Sequence, residues 1–241
     1  MFLFDANWYQ ILLKLEVPML ITLKFWKWAT PKNVSFVILL LKMCFIFGQD
    51  LHSKNIIIID PGHGGKDTGA IGTNSIQEKD IMLSIAKEII RLNKTLLNDT
   101  FDMYSTRYRD TLISLSDRSR LAESLNADVF VSFHCNASNT SSKGMDVYVH
   151  STNINEENIK ESIGMGLSIL EESSLKLGFK MRGVQFANFQ VLRENTAYRP
   201  SILIEMGFIT NTDEADYFLK PKNIRAMALA ILMGLYNYFN Y

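Results

Sequence analysis

The chain contains four histidines, His52, His63, His134 and His150, and two of them follow hydrophobic runs. His63 comes after Ile56-Ile57-Ile58-Ile59-Asp60-Pro61-Gly62, and Gly64 and Gly65 follow it. His134 comes after Val129-Phe130-Val131-Ser132-Phe133. Such runs of β-branched and aromatic residues read as strands buried on both faces. Each histidine therefore falls at the C-terminal end of a strand, the edge where α/β sheets build their ligand sites. Two imidazoles there, with an acid at the start of a nearby helix, offer three N/O donors and leave a fourth position for water. That is the donor set of a catalytic zinc site. Glu78 is the candidate acid, because it opens the helix directly after the glycine loop.

Each of these residues also has a plainer reading. The glycine-rich stretch suits a tight turn with an incidental histidine. It does not suit a phosphate-cradling loop. GxxxxGK[ST] fails because Asp60 stands at the first glycine position and Asp67 follows Lys66; GxGxxG fails because Asp67 stands at the third glycine position. Glu78, taken alone, fits a first-turn acid that complements the helix dipole. A second acid, Glu205, ends the run Ser201-Ile202-Leu203-Ile204. A carboxylate there is costly to bury unless it is paired or functional, so it reads either as an ion pair with Arg107 or Arg193 or as a working group. No HExxH is present, which excludes a zincin-type protease.

The elements that would position these residues alternate. After the first strand and its loop, Ile81, Ile85, Ile89, Leu92 and Leu96 mark one face of a helix from Glu78 to Leu97. Phe101 to Ser105 predicts a strand, and Ser116 a cap for a helix running to about Asn126. Val129 to His134 and Gly144 to His150 predict strands, and Glu156 to Leu177 a helix. Phe186 to Leu192 and Ser201 to Met206 read as extended. Thr212 to Leu219 reads as a short helix stopped by Pro221, and Ile224, Met227, Ile231, Leu235 and Tyr238 mark a last helix. The expected fold is α/β: a single three-layer domain over residues 54–241, with a mostly parallel or mixed central sheet flanked by helices.

Composition narrows the function classes. Of the 241 residues, 47% are hydrophobic and 21% charged, which suits one globular domain plus an appendage. Residues 1–49 carry a net charge of +3 and the remainder −3, and an acidic body gives no support for nucleic-acid binding. The two cysteines are Cys44 and Cys135; the second reads as a small buried hydrophobe.

Residues 1–49 read as a signal or anchor segment. Val34 to Phe47 is an apolar run broken only by Ser35 and Lys42. It is shorter than the roughly 20 residues of a membrane span and matches the apolar region of a secretory signal. Lys24, Lys27 and Lys32 precede it, and Gly48 offers a small residue near a cut. Residues 1–18, with Asp5 and Glu16, lengthen the leading region unusually, which suggests a start at Met19. The competing reading is an uncleaved anchor helix, and membrane contact is expected only in that case. A lipid-bearing Cys44 is disfavoured because Lys42 and Met43 are not small.

Together these residues resemble the zinc-dependent N-acetylmuramoyl-L-alanine amidases of the type-3 family. Asp60-Pro61-Gly62-His63-Gly64-Gly65 with Asp67, Gly69 and Ala70 resembles the family's opening motif, and Glu78-Lys79-Asp80 its second. Ser132-Phe133-His134-Cys135-Asn136-Ala137 resembles the third, and Glu205-Met206-Gly207-Phe208-Ile209-Thr210-Asn211 the last. Thr106-Arg107, Asp110, Leu115, Arg118 and Val191-Leu192-Arg193 match weaker positions. The likeness spans about Lys54 to Tyr241. One such motif would be weak evidence; four in order are specific. Cys135 departs from the family's usual small residue, and strand alternation turns it away from the metal-facing side.

The resemblance implies His63, Glu78 and His134 as ligands of one zinc and Glu205 as the catalytic acid/base. The implied substrate is the amide joining the lactyl group of N-acetylmuramic acid to L-alanine in peptidoglycan. Asn136 is a further candidate, for binding substrate. Such an enzyme is expected to be exported to the periplasm or cell envelope. The alternatives are a zinc peptidase acting on stem peptides and a non-catalytic wall-binding relative. Some relatives are held inactive by an inserted helix over the zinc until a partner removes it. Here the corresponding stretch, Ser151 to Gly183, is filled largely by the one helix Glu156–Leu177, whose Ile159, Ile163, Gly166, Leu167 and Leu170 read as its sheet-facing row. No obligatory protein activator is therefore expected.

Overall fold

Ile57, Ile58 and Ile59 are fully buried, because the strand they form lies inside a sheet with both faces covered. The computed structural model of the chain describes Ser35 and residues 54–240, apart from 139–140 and 152–154. The readings of the N-terminal segment lie outside the described residues, and so does His52.

The unit Lys54–Tyr241 runs in the order β1 (Ile56–Pro61), α1 (Glu78–Leu96), β2 (Asp102–Ser105), α2 (Leu115–Ser124), β3 (Val129–Asn136), β4 (Met145–His150), α3 (Glu156–Leu177), β5 (Met181–Ala187), α4 (Gln190–Thr196), β6 (Ser201–Phe208), α5 (Thr212–Phe218) and α6 (Pro221–Asn240). The sheet order is β2-β1-β3-β6-β4-β5. The β1–β2, β1–β3, β3–β6 and β4–β5 pairs are parallel, and β4 runs antiparallel to β6. The sheet is mixed, with β1, β3 and β6 pointing their C-terminal ends the same way. His63 follows the end of β1, and His134 and Glu205 lie in the C-terminal halves of β3 and β6.

A larger apolar core joins one sheet face (Ile57, Val131, Phe133, Ile204) to Ile85 and Ile89 of α1, Ile169 of α3 and Ile231 of α6. A smaller one joins Ile58, Phe130 and Leu203 on the opposite face to Ala122 of α2 and Val191 and Leu192 of α4. The expected three layers are present. Cys135 lies in the larger core, on the same strand parity as Phe133 and opposite to His134, as alternation requires.

Several local expectations change. The N-cap of α2 is Ser114, whose hydroxyl accepts from the Asp117 backbone N–H, not Ser116. Phe186 to Leu192 is not one extended run: β5 ends at Ala187 and α4 begins at Gln190. Pro221 does not merely stop the helix before it; it opens α6, where its missing N–H has no partner to lose. Leu96 is 50% exposed and Leu167 38%, so both fall outside the buried rows assigned to them. In α3 the buried row is Ser162, Met165, Gly166, Ile169, Leu170 and Ser173.

Candidate metal centre

The loop after β1 is held in place by two buried arginines. Arg107 donates from Nε to the Pro61 carbonyl at 3.0 Å, and from Nη2 to the Gly62 and Lys79 carbonyls at 2.7 and 2.8 Å. Arg118 donates from Nη1 to the Pro61 carbonyl at 2.8 Å and from Nη2 to the His63 carbonyl at 2.9 Å. Its Nη1 also meets the buried Asp60 carboxylate at 2.7 Å. The other oxygen of Asp60 accepts from Ser132 on β3 at 2.8 Å. These contacts fix the loop between β1 and α1. They also hold His63 at φ 58°, a left-handed conformation that costs a non-glycine residue roughly 1–2 kcal/mol.

In that conformation the His63 ring has both nitrogens engaged. Nδ1 lies 2.9 Å from Asp67 Oδ2 and Nε2 lies 3.2 Å from Glu78 Oε1. Nδ1 of His134 lies 2.9 Å from the same Glu78 oxygen. Three donor groups, one from the loop after β1, one from the start of α1 and one from the end of β3, thus converge within 4.8 Å of one another. Glu78 is fixed as well: Oε2 accepts from the Ala70 N–H at 2.8 Å and Oε1 from the Cys135 N–H at 2.9 Å. It is therefore not a bystander at a helix start. Two glycines make room. A Cβ on Gly62 would stand 2.4 Å from His134 Cε1, and one on Gly69 (φ +64°) 2.5 Å from Glu78 Oε2.

The electrostatics are those of a cation site. Burial opposes ionisation of Glu78, but hydrogen bonds and charge from His134 and His63 outweigh it and hold the carboxyl well below the usual range. Burial would lower the His63 pKa; Glu78, then Asp67, outweigh it and raise it. One divalent ion between the two imidazoles would satisfy the same carboxylate. The donor set, two histidine nitrogens and one carboxylate oxygen, suits zinc. Asp67 on the far nitrogen of His63 is the usual partner of a ligating histidine.

Glu205 stands beside this group, since its Cα is paired with that of His134 across β3 and β6. Neither arginine considered from the sequence pairs with it. Arg107 is spent on backbone carbonyls, and Arg193 Nη1 binds the Asn188 carbonyl and side-chain oxygen. Among the described residues, Oε2 of Glu205 is buried without a hydrogen-bond partner. Burial, with Glu78 and Asp146 adding to it against the opposing charge of His134, pushes the carboxyl up to about 7. A desolvated carboxylate of that kind is suited to accept and return a proton near neutral pH.

Asn136, two residues past His134, lies near Asp146 and, after Arg182, opposes the burial that raises the Asp146 carboxyl. Asp146 is 2% exposed and its Cα faces that of Glu205 across β4 and β6. The sequence reading passed over Asp146, Arg182 and the pairing of Asp67 with His63. Asp146 carried a readable signal: like Glu205, it is a lone acid within an apolar strand.

The N-acetylmuramoyl-L-alanine amidase family matches residues 57–237 of the chain. The N-acetylmuramoyl-L-alanine amidase AmiA of Salmonella typhimurium is 30% identical over 229 residues, covering 78% of each chain. Among solved structures, the amidase AmiC2 of Nostoc punctiforme superposes with a TM-score of 0.70 at 30% identity, over 78% of this chain and 99% of its own. The CwlD amidase of Clostridioides difficile, solved in complex with the GerS lipoprotein, gives 0.70 at 26% identity, over 78% and 99%.

Proposed function

The chain belongs to the N-acetylmuramoyl-L-alanine amidase family, and we propose that His63, Glu78 and His134 hold one zinc ion for its reaction while Glu205 carries the proton. The reaction is hydrolysis of the amide between N-acetylmuramic acid and L-alanine in peptidoglycan. The observation that carries the residue assignment is the convergence of the three donor groups within 4.8 Å, next to Glu205, whose Oε2 is buried without a hydrogen-bond partner among the described residues.

An amide resists hydrolysis because its carbonyl is a weak electrophile and its nitrogen a poor leaving group. When bound, zinc supplies Lewis-acid polarisation and a water that ionises near neutral pH. Glu205 takes the proton from the attacking water and delivers it to the L-alanine nitrogen as the carbon–nitrogen bond breaks. The products are a lactyl carboxylate on the glycan and a stem peptide with a free amino terminus. His63 is kept in one orientation by Asp67, and Glu78 by two backbone N–H groups, so little ordering is left for the moment of metal binding. Asn136 borders this carboxylate group and binds substrate.

The substrate lies outside the cytoplasm, and residues 1–49 serve as the export signal or anchor that takes the enzyme to the periplasm or envelope. No protein activator is required. Among the described residues the β4–β5 connection contains only α3, which packs on α6 and the sheet.

Digestion of purified peptidoglycan in water enriched with the heavy oxygen isotope tests the reading. The label is expected on the lactyl carboxylate, with intact stems beginning at L-alanine. Label at a carboxyl within a cut stem would identify a stem peptidase instead, and no product would identify a binding relative.

A further inference from the structure

Arg182 occupies an unusual place. The β4–β5 register slips between Met145 and Asp146: Met145 pairs with Met181, but Asp146 pairs with Gly183. Arg182 is therefore the extra residue of a β-bulge, and bulges re-aim side chains. Its Nε donates to Oδ2 of Asp146 at 2.8 Å, and its guanidinium lies over the Phe208 ring, 5.0 Å from the centroid. One edge and one face of the fork are thus fixed, yet the side chain stays 37% exposed.

The described residues give the two Nη groups of Arg182 no hydrogen-bond acceptor. Glu214 is the other nearby acid that feels the Arg182 charge. Its oxygens are already taken by the backbone N–H groups of Gly144 and Phe208, at 2.8 and 2.6 Å. Asp146, which orients Arg182, also faces Glu205 across the sheet. The result is an oriented cation, one residue removed from the proton carrier, with its two-nitrogen edge open. Guanidinium edges of that kind recognise carboxylates.

We propose that Arg182 is a specificity-determining residue that receives a free carboxylate of the stem peptide, the α-carboxylate of the residue following L-alanine. The inference rests on the amidase reading above. That carboxylate belongs to the leaving half of the substrate, close to the scissile amide. Asp146 acts as a positioning residue, because its carboxylate holds the Arg182 Nε.

The test uses the purified protein with zinc and two synthetic muramyl peptides. In one the second stem residue carries its free α-carboxylate; in the other that group is an amide. The wild type is expected to favour the acid, by roughly tenfold in kcat/KM for a half-exposed charge-assisted contact. In Arg182→Gln that preference is expected to fall to about one, through a higher KM on the acid and not through kcat. Arg182→Lys keeps a cation beside Asp146 and should retain part of the preference, which guards against a variant that simply misfolds. A wild type without preference, an Arg182→Gln enzyme that keeps it, or equal losses on both substrates would overturn the assignment. Release of L-alanine-terminated peptide from neither substrate would overturn the amidase reading itself.

Discussion

Oε1 of Glu78 lies 2.9 Å from Nδ1 of His134, although 56 residues separate them in the chain. The same oxygen lies 3.2 Å from Nε2 of His63. One carboxylate oxygen therefore gathers two imidazoles from different strand ends. A single divalent cation at that point has three donors ready for it.

Replacing either imidazole leaves two donors, too few to hold zinc firmly. His63→Ala and His134→Ala are each expected to lose most of the metal that purifies with the wild type, measured by elemental analysis. Full zinc content in both variants would refute the ligand set.

Asp67 grips the far nitrogen of His63 at 2.9 Å. Asp67→Asn should weaken zinc binding by roughly 10- to 100-fold, the usual cost of losing such a partner. Competition against a chelator of known affinity reads this directly. Unchanged affinity would reduce Asp67 to a loop-forming residue.

Glu205 gives the metal-free protein a pH signature. Its carboxyl is raised by burial from 4.5 to about 7, so the folded state holds the proton more tightly than the unfolded chain does. That contribution is fully present below about pH 4.5 and is lost as pH rises through about 7. Glu205→Gln lacks it. The stability of metal-free wild type relative to that variant should therefore decline between those pH values, by on the order of 1–3 kcal/mol, in denaturant titrations. A difference that is flat with pH would mean the carboxyl is not desolvated.

The β4–β5 connection bears on control. In α3 the buried row reaches from Ser162 to Ser173, so this helix is committed to the core and not to covering the centre. The fragment from Lys54 onward is expected to clear a suspension of purified sacculi unaided. Activity only after a second envelope protein is added would show that some other element blocks the site.

Much of this was legible in the sequence because the informative residues are local. The Ile56–Ile59 and Val129–Phe133 runs gave the central strands, and their ends gave His63 and His134. The acidic start of α1 gave Glu78 as a candidate, but only the fold brings it against His134 and His63. For Glu205 the fold adds that neither Arg107 nor Arg193 pairs with it and that, among the described residues, its Oε2 is buried without a hydrogen-bond partner. The turn at Asn188 and the bulge at Arg182 were missed because both depend on register. Register is a relation between strands and leaves no trace in either strand alone. Ser114 and Ser116 are both plausible caps, and only the backbone geometry separates them.

The central claim is that three residues hold the metal while a fourth moves the proton, and Glu205→Gln separates those roles most directly. The variant keeps shape and loses only the basic carboxylate. Zinc content and turnover on purified peptidoglycan are measured on the same preparation. The account predicts wild-type zinc with turnover lowered by about 100- to 10,000-fold. Near-normal turnover, or loss of the zinc, would contradict it.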